Sequence, residues 1–375
     1  MSEPFDLAAE LEKMPFALEI PGHLLMKGGR QDYIGAALCI RGTLYFKDAH
    51  TIPVREELGR CFNDYKRLAE PELRWLWREE PPEGSALTPY NKARSLTEML
   101  ATMKENDHLS FYYTGGREAV DASPWFFELF GQRGWEAKMG DDLSVLEFSV
   151  PILFFEKHRL DFLRLFLDCA ARLKAEQGYA GYALNLSVTK RDGNEATEAY
   201  MSESMPGLDA GLAPLLANRP EFQKNKIKTV SWLTVLNKPR LESAGGLKPL
   251  QARLPDSHFA FYDYGAGVII QAGNEPAVIG DADFPRPPAY VLLNHELKEL
   301  RYETVGDLHG GSHDGEVRLT GWSADQWLKR FDVPLSELSA YQHKLNEQPA
   351  LSSQYTLKDR LRAQGYTSSG PGSAP

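Results

Sequence analysis

One helix limits what this chain can become. The stretch HRLDFLRLFLDCAARLKAEQG, residues 158–178, places Leu160, Leu163, Leu167 and Ala171 along one side at helical spacing. A helix with so apolar a stripe must bury it against another element. The flanking sequences offer sheet: SVLEFSVPILFF before it (Ser144 to Phe155) and YAGYALNLSVT after it read as strands, with Gly178 as the stop between helix and strand. YIGAALCIRGTLYF (Tyr33 to Phe46), HLSFYYTGG, IKTVSWLTVLNK (Ile227 to Lys238), HFAFYDYGA and GVIIQA add strand-like runs. PVREELGRCFNDYKRLAE, SLTEMLATMKEND, SADQWLKRF with Ser323 as N-cap, and PLSELSAYQHKLNE add helices. KRDGNEATEAY reads as a loop. Strands and helices are interspersed, and several neighbouring strands are spaced for hairpins, so the expectation is a mixed α+β fold with largely antiparallel sheet and packed helices. No Pro/Ser linker cuts the chain. A single compact domain over residues 16–365 is expected, between an N-terminal segment 1–15 and a flexible tail 366–375.

Charge narrows the function. The chain carries 52 acidic and 42 basic side chains, a net −10, the wrong sign for gripping nucleic acid directly. The excess is local, with eleven acids against three bases between Asp256 and Glu316. No run of about 18 apolar residues suggests a membrane span. The start, MSEPFDLAAELEKMPFALEIPG, lacks a basic region and an apolar core, so the expected location is the cytoplasm. Cys39, Cys61 and Cys169 are scattered without a C-x-x-C and read as buried small hydrophobes.

Signatures of chemistry are scarce. The chain has no G-x-x-x-x-G-K-[ST], no strand leading through G-x-G-x-x-G into a helix, and no G-x-S-x-G. DLHGGSHDG brings Asp307, His309, His313 and Asp314 within eight positions and could hold zinc if folded inward. Gly310-Gly311 argues against the helix such a site would use and for a mobile, solvated loop. Glu136-Ala137-Lys138 with Asp121 upstream has the form of a restriction-nuclease fragment, in a chain without a basic face. Asp281 and Asp283 follow the turn Gly273-Asn274-Glu275-Pro276, with both carboxylates on one face if the chain stays extended.

Several pieces, in order, resemble one family. GYAGYALN after the strong helix, SWLTVLN with Gly245-Gly246 downstream, GVIIQAGNEPAVIGD (Gly267 to Asp281) and WLKRFD (Trp327 to Asp332) are similar to segments of the type VI secretion immunity proteins, across roughly Phe16 to Asp332. The resemblance implies an inhibitor that works by tight binding, with no catalytic residues and no cofactor. Its partner would be a cognate toxin delivered by neighbouring bacteria, a basic nuclease. An acidic face suits that partner, since a nuclease must present basic groups to phosphate. The expected contacts are Asp263, Glu275, Asp281, Asp283, Asp307 and Asp314, with Tyr262, Tyr264 and Phe284 as aromatic anchors. Two other readings stay open: a metal-dependent hydrolase using Asp307, His309, His313 and Asp314, and an adaptor of a secretion apparatus.

Overall fold

The structure, a computed structural model, describes residue 13 and residues 18–25, 28–81, 84–140, 143–217, 226–311 and 317–361. His313, Asp314 and the tail 366–375 lie outside the described residues. The first half runs β1 (Glu19–Pro21), β2 (Ile34–Phe46), α1 (Ile52–Ala69), β3 (Trp75–Arg78), β4 (Leu87–Pro89), α2 (Leu96–Thr102), β5 (Leu109–Thr114), β6 (Phe126–Gly131), α3 (Gly134–Met139), β7 (Ser144–Val150) and α4 (Ile152–Leu173). The second half runs β8 (Gln177–Leu186), α5 (Glu195–Ser204), α6 (Ala213–Ala217), β9 (Leu233–Asn237), α7 (Lys238–Ser243), α8 (Leu247–Arg253), β10 (Phe259–Asp263), β11 (Gly267–Ala272), α9 (Pro288–Leu297), α10 (Trp322–Leu328) and α11 (Leu338–Glu347).

All the strands join one antiparallel sheet in the order β10-β11-β9-β8-β2-β7-β6-β5-β3-β4, with β1 on the start of β2. The 13-residue β2 is the centre: Ala36–Tyr45 lie against β8 and Ile40–Phe46 against β7. Side chains alternate between faces. Ile40, Leu44, Phe46, Leu146, Phe148, Phe127 and Leu129 face a core closed by α1 and α4, where Phe62 and Tyr65 meet Phe127, and Phe162 and Phe166 meet Phe148. The other face carries a smaller core of Tyr45, Val145, Tyr179, Ala199, Leu216, Leu319 and Trp327 under α5, α6 and α10. The elements make one compact α+β domain, as the interspersed pattern suggests.

Local departures from the sequence reading have physical causes. The run SVLEFSVPILFF is not one strand. Pro151 has no N–H to give a ladder, so β7 stops at Val150, and the same residue caps α4. Helix α4 ends at Lys174, which adopts the left-handed conformation (φ 49°) with the Ala175 N–H on the Ala170 carbonyl, and Gly178 belongs to β8 instead. The strand expected over 227–238 shortens to β9. KRDGNEATEAY is not a loop: its second half is α5. Ser323 lies inside α10, whose N-cap is Gly321. Its hydroxyl accepts from the Thr320 N–H and donates to the Arg318 carbonyl.

Candidate functional site

The second face of the sheet bears a continuous polar row. Register aligns Trp77, Tyr112, Glu128, Glu147, Thr43, Tyr179 and Thr234 across β3, β5, β6, β7, β2, β8 and β9. Two adjacent buried carboxylates in such a row need cations. Arg41, one pleat away on β2, places Nε 3.5 Å from Glu147 and Nη2 2.8 Å from Asp209, and Thr43 donates to Glu147 at 2.6 Å. Asp209 also takes Lys228 Nζ at 2.7 Å, and that ammonium donates to the Tyr179 hydroxyl and the Ala210 carbonyl. Burial alone would raise the Asp209 carboxyl. The charges of Lys228 and Arg41 outweigh it and hold the group below the usual carboxylate range. Burial wins at Lys228, whose ammonium lies below the ordinary lysine value despite Asp209.

Glu128 is the least satisfied member. It is 1% exposed, Oε1 has no hydrogen-bond partner among the described residues, and its one ion-pair contact there is Arg191 at 3.8 Å. Burial pushes its carboxyl up from 4.5 to about 8, Arg191 and Arg41 opposing and Glu147 adding to the rise. At low pH both folded and unfolded chains hold this proton. Between about pH 4.5 and 8 only the folded chain does, so the stability this group contributes at low pH is lost as pH rises through that window. Glu128→Gln is therefore expected to flatten the fall. Thermal melts should match wild type near pH 5 and gain on the order of 2–4 kcal/mol at pH 8.5. Identical pH profiles in the two proteins would refute this.

Helix α5 closes over the row with its own acids turned inward. Glu195 accepts the Gly310 and Gly311 N–H groups and Arg318 Nη1 at 2.9–3.0 Å. Glu198 accepts the Gly211 N–H and His309 Nε2, both at 2.8 Å. The Leu319 N–H donates to His309 Nδ1, which leaves Nε2 to carry the proton that Glu198 receives. His309 is thus buried and tied down at both nitrogens, not solvated in a mobile loop. Among the described residues no group of three or more His, Cys, Asp or Glu is placed to hold a metal. The nuclease-like fragment also disperses. Glu136 caps α3 by accepting the Arg133 N–H, Lys138 pairs with Glu105, and Asp121 accepts from the Ile34 and Glu118 N–H groups at the far end of β6, about 20 Å away at ~3.3 Å per residue.

The expected contact residues fall in several places. Asp263 is exposed at the β10–β11 turn, where it accepts the Gly265 N–H. Tyr262 and Tyr264 are buried and hold the fold from within, the first donating to Gln271 and the second to the Ala175 carbonyl, both at 2.6 Å. Asp307 is exposed beside α10 and accepts the Gly321 N–H. Only Glu275, Asp281, Asp283 and Phe284 share one segment, beyond the opposite end of β11 from Asp263. Gly273, at φ 85°, turns the chain there. Asn274 then binds the Pro349 and Ala350 carbonyls, and Glu275 reaches the buried Arg159 of α4 at 3.2 Å.

Asp281 and Asp283 do not line an extended strand. Asp281 Oδ1 accepts the N–H groups of Asp283 (3.1 Å) and Phe284 (2.8 Å), the latter chiefly holding its carboxyl below the usual range, and Lys344 of α11 lies 3.4 Å away. Phe284 is half-buried, edge-on to Tyr341, and Asp283 points no bond inward among the described residues. The resulting knuckle presents acidic groups on a rigid turn.

Sequence reading missed the groove beside this knuckle. Ser202, Glu203, Pro206, Pro285, Arg286, Trp322, Gln326, Trp327 and Arg330 enclose about 420 Å³, mostly apolar. Trp322 at its rim is 77% exposed, the one available sequence signal being an aromatic two residues after Thr320 and just ahead of Ser323.

Comparison with known proteins gives a consistent picture. The profile of a family described as TsiV, type VI immunity for VRR-NUC, matches residues 57–331. A solved structure titled Pseudomonas aeruginosa T6SS protein PA0821 is similar with a TM-score of 0.90 at 61% sequence identity, covering 96% of this chain and 100% of that one. None of the curated proteins compared with the chain matches it.

Proposed function

Because the chain belongs to the TsiV family, type VI immunity for VRR-NUC, we propose that it neutralises a VRR-NUC toxin by forming a stoichiometric complex with it, without turnover and without a cofactor. The observation that carries this reading is the family match over residues 57–331, which takes in the acidic segment and the whole of the α5–α10 face. The toxin would be basic where it meets DNA, and Asp263, Glu275, Asp281, Asp283, Asp307 and Asp314 would meet or steer it, with Phe284 seated among them. Tyr262 and Tyr264 would act from beneath, holding the hairpin that carries Asp263. We place the domain at residues 16–365 and the complex in the cytoplasm, where the DNA to be protected lies. Among the described residues no helix is long and apolar enough to cross a membrane.

Co-expression with the toxin tests the reading: growth should be rescued and the two chains should co-purify, and neither happening would overturn it. Asp283→Lys is the cleaner probe of the acidic knuckle, since Asp281 also builds the turn. Stopped-flow association with a catalytically inactive toxin should slow by about tenfold and lose part of its salt dependence, with little change in dissociation. An unchanged association rate at low salt would remove Asp283 from the encounter surface.

A further inference from the structure

We infer that the groove between α5, α10 and Pro285-Arg286 is the anchor pocket for the toxin, and that it receives a carboxylate-bearing segment of that partner. This rests on the immunity reading and adds the site and the chemistry that fills it.

Donor-bearing side chains stand among the groove's lining. Arg286 spends Nε on the Arg330 carbonyl at 2.6 Å. Arg330 spends Nε on the Pro206 carbonyl, Nη1 on the Trp327 carbonyl and Nη2 on Thr229 Oγ1. A guanidinium has five N–H groups, so both arginines keep donors in hand. Among the described residues neither has a carboxylate in ion-pair contact. Trp327 lines the same groove, is 5% exposed, and its Nε1 has no hydrogen-bond partner among the described residues. An indole N–H donates only. Three donors without an acid to share therefore meet in one concavity.

Electrostatics favours the same occupant. Arg330 lies over Trp327, its guanidinium carbon 3.5 Å from the ring centre, and also over Phe331 at 4.3 Å. Loss of water, with Arg301 adding to it, pushes its guanidinium down to about 9, opposed chiefly by the more distant Asp209. Lys228 lies 5.0 Å from the Trp327 ring centre and adds a second positive charge against that ring. Such a site gains when an anion arrives, because an arginine and carboxylate can pair through two parallel bonds. The rim suits the rest of a nuclease surface: Glu203 lines it and Asp283 stands two residues from Pro285, both acidic and exposed.

The walls supply the contact area. Trp322 stands out at 77% exposure, and Tyr200, outside the lining but one turn before Glu203 and Ser204 on α5, is 59% exposed. Tryptophan, tyrosine and arginine are the side chains most enriched at binding hot spots, and a tryptophan this bare is otherwise wasted in water. Acids at the rim and donors in the lining select a carboxylate flanked by lysines or arginines.

The test uses the full chain and a catalytically inactive toxin. Trp322→Ala and Arg286→Glu should each raise Kd by roughly 30-fold or more, with denaturation midpoints held near wild type. If Arg286→Glu lowers the midpoint, the exposed Trp322→Ala decides alone. Arg286→Lys places an amine in the lining, and zero-length carbodiimide coupling should join that amine to an Asp or Glu of the toxin, read by peptide mass mapping. Wild-type Kd in both Trp322→Ala and Arg286→Glu would overturn the pocket while leaving the immunity function intact. A stable complex of Arg286→Lys without that cross-link would overturn the carboxylate. Failure of the wild-type chain to bind the toxin would instead remove the reading on which the inference stands.

Discussion

Asp209→Ala is expected to destabilise the protein by about 3–5 kcal/mol, enough to unfold much of a marginally stable domain. The substitution deletes the one carboxylate shared by Lys228, which is 0% exposed, and Arg41, which is 8% exposed. Arg41 keeps its longer contact to Glu147 and the neutral Leu184 carbonyl, and Lys228 keeps neutral acceptors alone. Two buried cations without their counterion cost far more than the pair itself contributes. The double variant Asp209→Ala with Lys228→Met removes the stranded ammonium and should recover at least half of the loss in denaturant titrations. A double variant less stable than the sum of its singles would show that packing, not charge, governs the site. The pH response follows from the same group. Since the folded-state carboxyl is held low, its contribution is present above the unfolded value near ~3.9 and is lost as pH falls through the lower folded value. The acid limb of the stability curve should therefore be shallower in Asp209→Ala than in wild type.

Gly207→Ala should cost about 2–4 kcal/mol and also weaken the complex with the toxin. A methyl there would lie 1.9 Å from the Ala277 carbonyl oxygen, 2.8 Å from its carbon and 2.9 Å from Val278 Cα. All three are backbone atoms, so no side chain can rotate out of the way. The backbone bond from the Gly207 N–H to the Val278 carbonyl, 2.7 Å long, must open instead. That moves the strip 276–279, and with it the knuckle at Asp281–Phe284 and the Pro206 and Pro285 walls of the groove. Gly310→Ala is the control, because nothing lies within 4 Å of its added carbon. Chemical denaturation should separate the two variants clearly. A Gly207→Ala protein with the wild-type midpoint would mean that the two segments are not pressed together.

The elements legible in the sequence are those whose signals are local. The apolar stripe of α4, the β-branched and aromatic run of β2, and the β10–β11 hairpin needed no distant partner to be recognised. Pro151 misled because PILFF is apolar at every position, a run that fits strand and helix equally until the missing proline donor is weighed. Helix α5 was hidden for the opposite reason. Its first residues read as a loop, and the groups that bury its Glu195 and Glu198, Gly310, Gly311, Arg318 and His309, lie more than a hundred residues away. The same distance disguised DLHGGSHDG as an open loop: the Gly310 and Gly311 N–H groups are held by Glu195, and an added carbon at Gly311 would lie 2.7 Å from that carboxylate. The family was legible in pieces that are partly structural. Asp332 of WLKRFD clasps Arg301 and Asn294, and Trp232 of SWLTVLN donates to the Gly273 carbonyl. The groove was not legible, since Arg286, Trp322 and Arg330 meet only once the chain has folded.

The place of β2 at the middle of the sheet also sets a timetable. Its neighbours are made late, β7 at residues 144–150 and β8 at 177–186. At about 5–20 residues per second, a ribosome leaves this apolar central strand without its second partner for roughly 7–28 s. Pairings so far apart in sequence also form slowly once the chain is complete. A cell whose stock of this protein is exhausted cannot rebuild it in the moment an attack begins. Protection is therefore expected to rest on molecules already folded, and the mature protein to turn over slowly.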